Sequence, residues 1–215
     1  MRIALLFYKK LVADLESRGF DLNPYDTCVV NKKINGKKFT INWHVDDLKL
    51  SHVDKEVVDK MIVWMKGLYG NDMRIYRGKK HYYLGMNLEL SVKGQVEVTM
   101  VEYLKGVISD FEEVEVPTNT VASPASEHIY TIREEYDQKK IDDKWGTAFH
   151  HAVAQLVFVC PRARKDIHTA VSFLKTRVRE PNEYDWVKLK RLLRYVRRNI
   201  NLPLILRSDS LTIIK

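Results

Sequence analysis

The residues best suited to chemistry in this chain are two neighbouring aspartates, Asp46 and Asp47. Adjacent carboxylates repel, and both stay ionised at low cost only beside a cation or hydrogen-bond donors. A hard divalent ion with oxygen ligands suits that need, Mg2+ above all or Mn2+ in its place. An Asp pair is also common in an ordinary solvated turn, so the flanking residues decide its weight. Phe39, Ile41 and Trp43 alternate with Thr40, Asn42 and His44, and Leu48 and Leu50 alternate with Lys49 and Ser51. Period-two alternation on both sides predicts two half-buried strands with the carboxylates at the tip of their hairpin.

Several elements must position that tip. Residues 1–18 form an amphipathic helix pattern, with Leu5, Tyr8, Leu11, Val12 and Leu15 on one face and Arg18-Gly19 at its end. It starts without a cap, as a piece cut from a longer chain would. A strand from about Thr27 meets Asn35-Gly36, a strong two-residue hairpin signal, and returns toward the acidic tip. Residues 54–69 predict a helix capped by Asp54, with Val57, Val58, Met61, Ile62, Met65 and Leu68 as its core stripe and Gly70 after it. Residues 83–100 predict a second hairpin. Leu84, Met86, Leu88, Leu90 and Val92 share one side, and the chain turns at Lys93-Gly94-Gln95. Gly85, inside that strand, implies close approach by another backbone or a ligand. Residues 101–112 read as helix and 117–126 as a linker. Three further helices follow: one ending before Pro161, one over 165–178, and one over 183–199.

The sequence is basic, with a net charge of +8 and a pI near 9.3, which fits a polyanionic partner. Residues 161–200 hold twelve Lys/Arg against four Asp/Glu, whereas residues 101–150 hold five against eleven. On the last helix Lys190, Arg194 and Arg197 share one side, with Arg191 and Arg198 beside them, and Trp186, Leu189, Leu193 and Val196 share another. The two cysteines, Cys28 and Cys160, are too far apart to suggest a disulfide framework or a zinc site. The apolar run at the N-terminus stops at two lysines, too short for a signal peptide or a membrane span. His150-His151 are neighbours that point in different directions on a helix, so they do not make a metal pair. Lys49 and Lys66 lie near the tip in sequence, as surface lysines or as phosphate contacts.

The order of these elements resembles the reverse transcriptase of copia-type retrotransposons. The match is carried by ALLFYKKL (4–11), HVDD (44–47), YLGMNLE (83–89), FHHAVAQLVFVCPRARKDIHTAVSFL (149–174) and the block from Pro181 through DWVKLKRLLRYV (185–196). The resemblance implies an α+β fold: a partial polymerase palm of antiparallel hairpins packed on helices over 1–98, a helical thumb and connection over 99–200, and the start of a following domain over 201–215. It implies RNA-directed DNA synthesis by two-metal nucleotidyl transfer, which needs clustered carboxylates and no nucleophilic side chain. By resemblance Asp46 is the principal metal ligand and Asp47 the assisting one. His44, Tyr83 and Gly85 would meet the primer, and Lys190, Arg194 and Arg197 the nucleic-acid backbone. The implied partners are an RNA/DNA primer–template, deoxynucleotide triphosphates and the remainder of a Gag-Pol-type polyprotein, with no membrane. The implied place is the cytoplasm, within a virus-like particle, or the nucleus, and not the secretory route.

The chain departs from that pattern in three places. The family carries another catalytic aspartate on a strand upstream of the first helix, and no residue here matches it. His44 stands where an aromatic such as Tyr is usual, and Lys165 where proline is usual before Asp166. Fingers and ribonuclease H have no counterpart, so little polymerase activity is expected of this fragment. Two other readings stay open. One is a non-catalytic nucleic-acid-binding remnant. The other is a different metal-dependent transferase, although no strand–Gly-rich-loop–helix pattern supports a nucleotide-binding half.

Overall fold

The alternation in residues 29–51 becomes three antiparallel strands. The computed structural model describes residues 2–111, 119, 121–132 and 140–207, and the chain divides into two compact units, Met1–Tyr76 and Arg77–Lys215. In the first unit, β1 (Asp21–Leu22), β2 (Val29–Ile34), β3 (Lys37–His44) and β4 (Asp47–Ser51) form one sheet in sequence order. The register pairs Ile41 with Leu50 and Trp43 with Leu48, so these four side chains share a face with Val30, the partner of Ile41 on β2. Helices α1 (Arg2–Ser17) and α2 (Lys55–Tyr69) supply Leu11, Leu15, Met61 and Met65 to the same core. Full burial of one such side chain stabilises the fold by about 1.5–3 kcal/mol. Asp54 caps α2 by accepting from the Glu56 N–H at 2.9 Å, and Gly70 ends it at φ 93°. Leu5 and Leu68, assigned above to core faces, are 54% and 43% exposed.

The opposite face of this sheet is polar. Alternation places Val29, Asn31 and Lys33 there from β2, Lys38, Thr40, Asn42 and His44 from β3, and Asp47, Lys49 and Ser51 from β4, so all but Val29 are polar. Thr40 donates to Asn31 Oδ1 across the strands at 2.9 Å.

In the second unit, β5 (Lys80–Tyr83), β6 (Met86–Glu89), β7 (Gln95–Thr99) and β8 (Leu204–Arg207) form a second antiparallel sheet. Its inner face packs Leu88, Val98 and Leu204 with α3 (Val101–Ser109), α4 (Asp143–Val159), α5 (His168–Thr176) and α6 (Glu183–Arg198). Three features are placed differently from the sequence reading. The boundary falls at Tyr76–Arg77 and not after residue 98, because the inner face of β5–β7 is buried by the later helices. Residues 204–207, within the stretch read above as the start of a following domain, pair with β7 as the fourth strand of the second sheet. The strand drawn through Leu84 is broken by a two-residue turn at Leu84–Gly85. Of the linker drawn over 117–126, residues 117, 118 and 120 lie outside the described residues, as does residue 112 of the helix drawn over 101–112.

A candidate active site at a hairpin tip

His44 and Asp47 are the last paired residues of β3 and β4, so Val45 and Asp46 alone make the connecting loop. Val45 has φ 56°, and Asp46 is not among the residues with positive φ. Positive φ at the first loop position alone is the sign pattern of a type II′ turn, where glycine is usual. A β-branched side chain there meets its own carbonyl and costs about 1–2 kcal/mol. Backbone strain of this kind persists where the surroundings over-determine it, and it clusters at functional sites.

The turn presents both carboxylates outward. Asp46 and Asp47 are exposed, as is His44, and neither carboxylate makes a hydrogen bond or ion pair with another described side chain. Asp47 shares its sheet face with His44 across the ladder and with half-buried Lys49 two residues along. Lys66 sits in the last turn of α2, which packs on the apolar face, so it does not share the face of Asp47 and Lys49. Among the described residues no group of three or more His, Cys, Asp or Glu is placed to hold a metal ion. Two hard oxygen donors without a competing cation nevertheless suit Mg2+, which keeps several waters and takes one or two carboxylates together with substrate phosphates.

Trp43, next to the tip, is 4% exposed in the core beneath it, and its indole N–H is buried without a hydrogen-bond partner among the described residues. Its neighbour Tyr8 packs at 6.2 Å between ring centroids. Tyr82 is 74% exposed, whereas Tyr83 is half-buried against the second core. Gly85 has φ 79°, and Leu84 before it has φ 51°, so the pair closes a type I′ turn. A Cβ on Gly85 would lie 3.3 Å from Met100 Cε and 3.6 Å from Phe158 Cε1. The close approach expected at Gly85 therefore comes from two side chains, and the turn geometry itself requires the glycine. Asp46, Asp47 and His44 thus meet in the first unit, while Tyr83 and Gly85 meet in the second.

The basic helix α6 is partly occupied by the chain itself. Arg194 donates Nε–H to the Asn119 carbonyl at 2.8 Å, Arg191 donates to Ser123 Oγ at 2.9 Å, and Lys188 donates Nζ–H to the Thr131 carbonyl at 2.8 Å. Lys188 is buried, with its ammonium 4.2 Å from the Phe173 ring centroid and 4.3 Å from that of Tyr184. Lys190 and Arg197 are half-exposed on the same helix.

Sequence reading did not single out the ion pair inside the Arg164–Ile167 block. Arg164 is 1% exposed; it donates Nε–H to Asp166 Oδ1 at 2.9 Å, Nη2–H to Oδ2 at 2.8 Å, and Nη1–H to the Asn199 carbonyl at 3.1 Å. Burial pushes the Asp166 carboxyl up, but the Arg164 hydrogen bonds and charge outweigh it and hold it below its ordinary value. The Arg–x–Asp spacing was a legible signal, since the fork of a guanidinium matches a carboxylate two residues on.

The chain is 25% identical over 176 residues to a putative transposon Ty5-1 protein of Saccharomyces cerevisiae (strain ATCC 204508 / S288c), a match covering 78% of this chain and 51% of that protein. The chain thus spans about half the length of that protein. No protein-family model and no solved structure matches it. Similarity to a transposon protein agrees in kind with the sequence resemblance. Among the described residues no helix is long and apolar enough to cross a membrane.

Proposed function

We propose that this chain is a piece of a retrotransposon reverse transcriptase, and that its hairpin tip helps hold the metal ions of RNA-directed DNA synthesis. The observation that carries this reading is the pair of unpaired, exposed carboxylates, Asp46 and Asp47, displayed by a strained two-residue turn. Five ordered sequence blocks and the likeness to a transposon protein support it. On this reading the first sheet and its two helices belong to a polymerase palm, and the helices after residue 100 to a thumb or connection.

Asp46 and Asp47 would bind Mg2+ or Mn2+ through their carboxylate oxygens. Such ions, when bound, activate a primer 3′-hydroxyl and offset charge on the phosphates. His44 offers a planar ring on the same face as Asp47, where it can stack on a primer end. Lys49 on that face offers a positive charge to a phosphate. The sheet fixes these groups on rigid backbone, and positioning of this kind supplies much of the catalysis in phosphoryl transfer. The substrates on this reading are a primer–template and deoxynucleotide triphosphates, with the rest of a polyprotein as partner.

Mn2+ titration by water-proton relaxation tests the proposal, with and without primer–template and deoxynucleotide. Ternary-complex Mn2+ affinity should fall at least tenfold in Asp46→Asn. Equal affinity in the variant and the parent chain would sink the metal-centred reading. Since the described residues give two carboxylates and no third group, primer extension by this chain alone should be weak. Duplex binding that is indifferent to Asp46→Asn, with no metal dependence at all, would favour a non-catalytic nucleic-acid-binding remnant.

A further inference from the structure

The hairpin next to the acidic one carries a charge pattern that folding does not explain. Strand β2 ends Lys32-Lys33-Ile34, the loop is Asn35-Gly36, and β3 begins Lys37-Lys38. Four lysines therefore flank one two-residue turn. Lys33 and Lys38 are directly opposite in the register. Like charges in that position destabilise a sheet. Lys32 is tied down, for its ammonium donates to the Arg18 carbonyl at 2.5 Å and lies 5.8 Å from the Phe20 ring centroid. Lys33, Lys37 and Lys38 are exposed and make no ion pair with any described residue. Short of the tip, the acidic residue on this sheet face is Asp21 of the edge strand, opposite Asn31, and it too is unpaired among the described residues.

Lys33 and Lys38 point to the same face of the sheet as Asp47. From Lys38 to His44 the strand takes six steps. At about 3.4 Å per step, lysines and carboxylates are about 20 Å apart. Between them the face carries Val29 and Asn31 from β2, Thr40 and Asn42 from β3, and Lys49 and Ser51 from β4. A largely polar face that runs from a cationic end, past a further lysine, to the carboxylates proposed above to hold metal is complementary to a sugar–phosphate backbone whose reactive terminus lies at that end.

We propose that the Lys33–Lys38 hairpin is an anchoring site for the phosphate backbone of a nucleic-acid duplex, about six base-pair steps from the end held at Asp46 and Asp47, taking the axial rise as about 3.4 Å per step. The inference rests on the polymerase reading for the position of that end. It adds a contact made by residues on which that reading does not depend. The repulsion between Lys33 and Lys38 is relieved when phosphates lie against them.

Fluorescence anisotropy with a labelled RNA–DNA duplex, read as a function of salt, tests the site in the full chain. The variant Lys33→Gln/Lys37→Gln/Lys38→Gln is compared with an equal-charge control, Lys9→Gln/Lys55→Gln/Lys60→Gln, whose lysines are exposed on α1 and α2. The hairpin variant should bind at least tenfold more weakly at moderate salt. Its slope of log affinity against log salt should be shallower by about 2–3, since each lost phosphate contact removes about 0.9. The control should change neither by more than a factor of two in affinity. The hairpin variant should also melt at the same temperature as the parent or higher in low salt, because a like-charge pair has been removed, whereas a structural role predicts a lower one. Equal losses in variant and control, no loss in either, or no duplex binding by the parent would overturn the proposal. So would a loss of affinity for acidic vesicles with duplex affinity unchanged. The metal titration of Asp46→Asn stands apart: its failure with the hairpin result intact removes the polymerase reading and leaves a duplex-binding face.

Discussion

Two turns of the first sheet have the same length and opposite character. Asn35-Gly36 joins β2 to β3, and Val45-Asp46 joins β3 to β4. Asn35 and Gly36 have φ 51° and 74°, and these are the residue types that occupy the left-handed region with least cost. Val45 has φ 56° with a β-branched side chain, the type least suited to it. The first turn is what a hairpin needs in order to fold. The second holds its shape against a local cost, and that cost coincides with the two exposed carboxylates.

The same contrast separates acidic groups elsewhere. Asp166 is held by both arms of a buried guanidinium, and Asp14 accepts from Lys10 at 2.8 Å and from the Tyr69 hydroxyl at 2.6 Å. Hydrogen bonds from Lys10 and Tyr69 keep the Asp14 carboxyl below its ordinary value. Asp46 and Asp47 have no such partners among the described residues. Asp14 and Asp166 are tied down within the fold, whereas the carboxylates at the strained turn pair with no described side chain.

Substitutions can break this division, starting with the largest effect. Asp166→Asn should destabilise the second unit by about 3 kcal/mol, because it leaves the Arg164 charge buried and unpaired. The sign with pH follows from the lowered Asp166 value. Its contribution is present above the ordinary carboxylate range and is lost as pH falls through the lower folded value. Acid unfolding of the variant, followed by circular dichroism, should therefore lose that part of its pH dependence. A variant as acid-sensitive as the parent would remove Asp166 from the stabilising class.

Gly36→Val should cost about 1–2 kcal/mol, since it places at φ 74° the residue type that Val45 already is. Urea titration with unchanged slope and an earlier midpoint is the expected result. An unchanged midpoint would mean that the left-handed turn imposes no penalty in this sheet. At Asp47, replacement by Asn should leave the melting temperature within about 2 °C, as surface substitutions away from special features usually do. A large drop would place this aspartate among the residues that hold the fold. At Val45 the sign reverses. Val45→Asn should raise stability by up to about 1 kcal/mol, because Asn tolerates the left-handed region better. If the variant is less stable, the turn is not strained in the way the contrast requires.

Much of the first unit was legible in the residues. Alternation over 39–51 set both strands and the facing of every side chain, because a pleated strand repeats every two residues. Asn35-Gly36 set the register, and Asp54 and Gly70 bounded α2. The second unit was harder. The apolar alternation from Leu84 to Val92 looked like one strand, yet Leu84 and Gly85 both take positive φ and fold the chain back. Alternation reports which residues prefer burial, and a two-residue turn preserves that parity while reversing direction. Likewise Tyr82 and Tyr83 are alike in sequence but fall on opposite faces of β5.

Local order in the chain thus determined the elements, the acidic tip and the lysine-flanked turn, since turn chemistry and period act between near neighbours. Only the tertiary structure decided that β5–β8 belong with the later helices, since that depends on which apolar faces bury one another. It alone decided that Arg164 is spent on Asp166 and Asn199, and Arg194 on Asn119. A charge in a sequence is equally a surface group or a buried tie, and the partner that settles which is, for Arg194, 75 residues away.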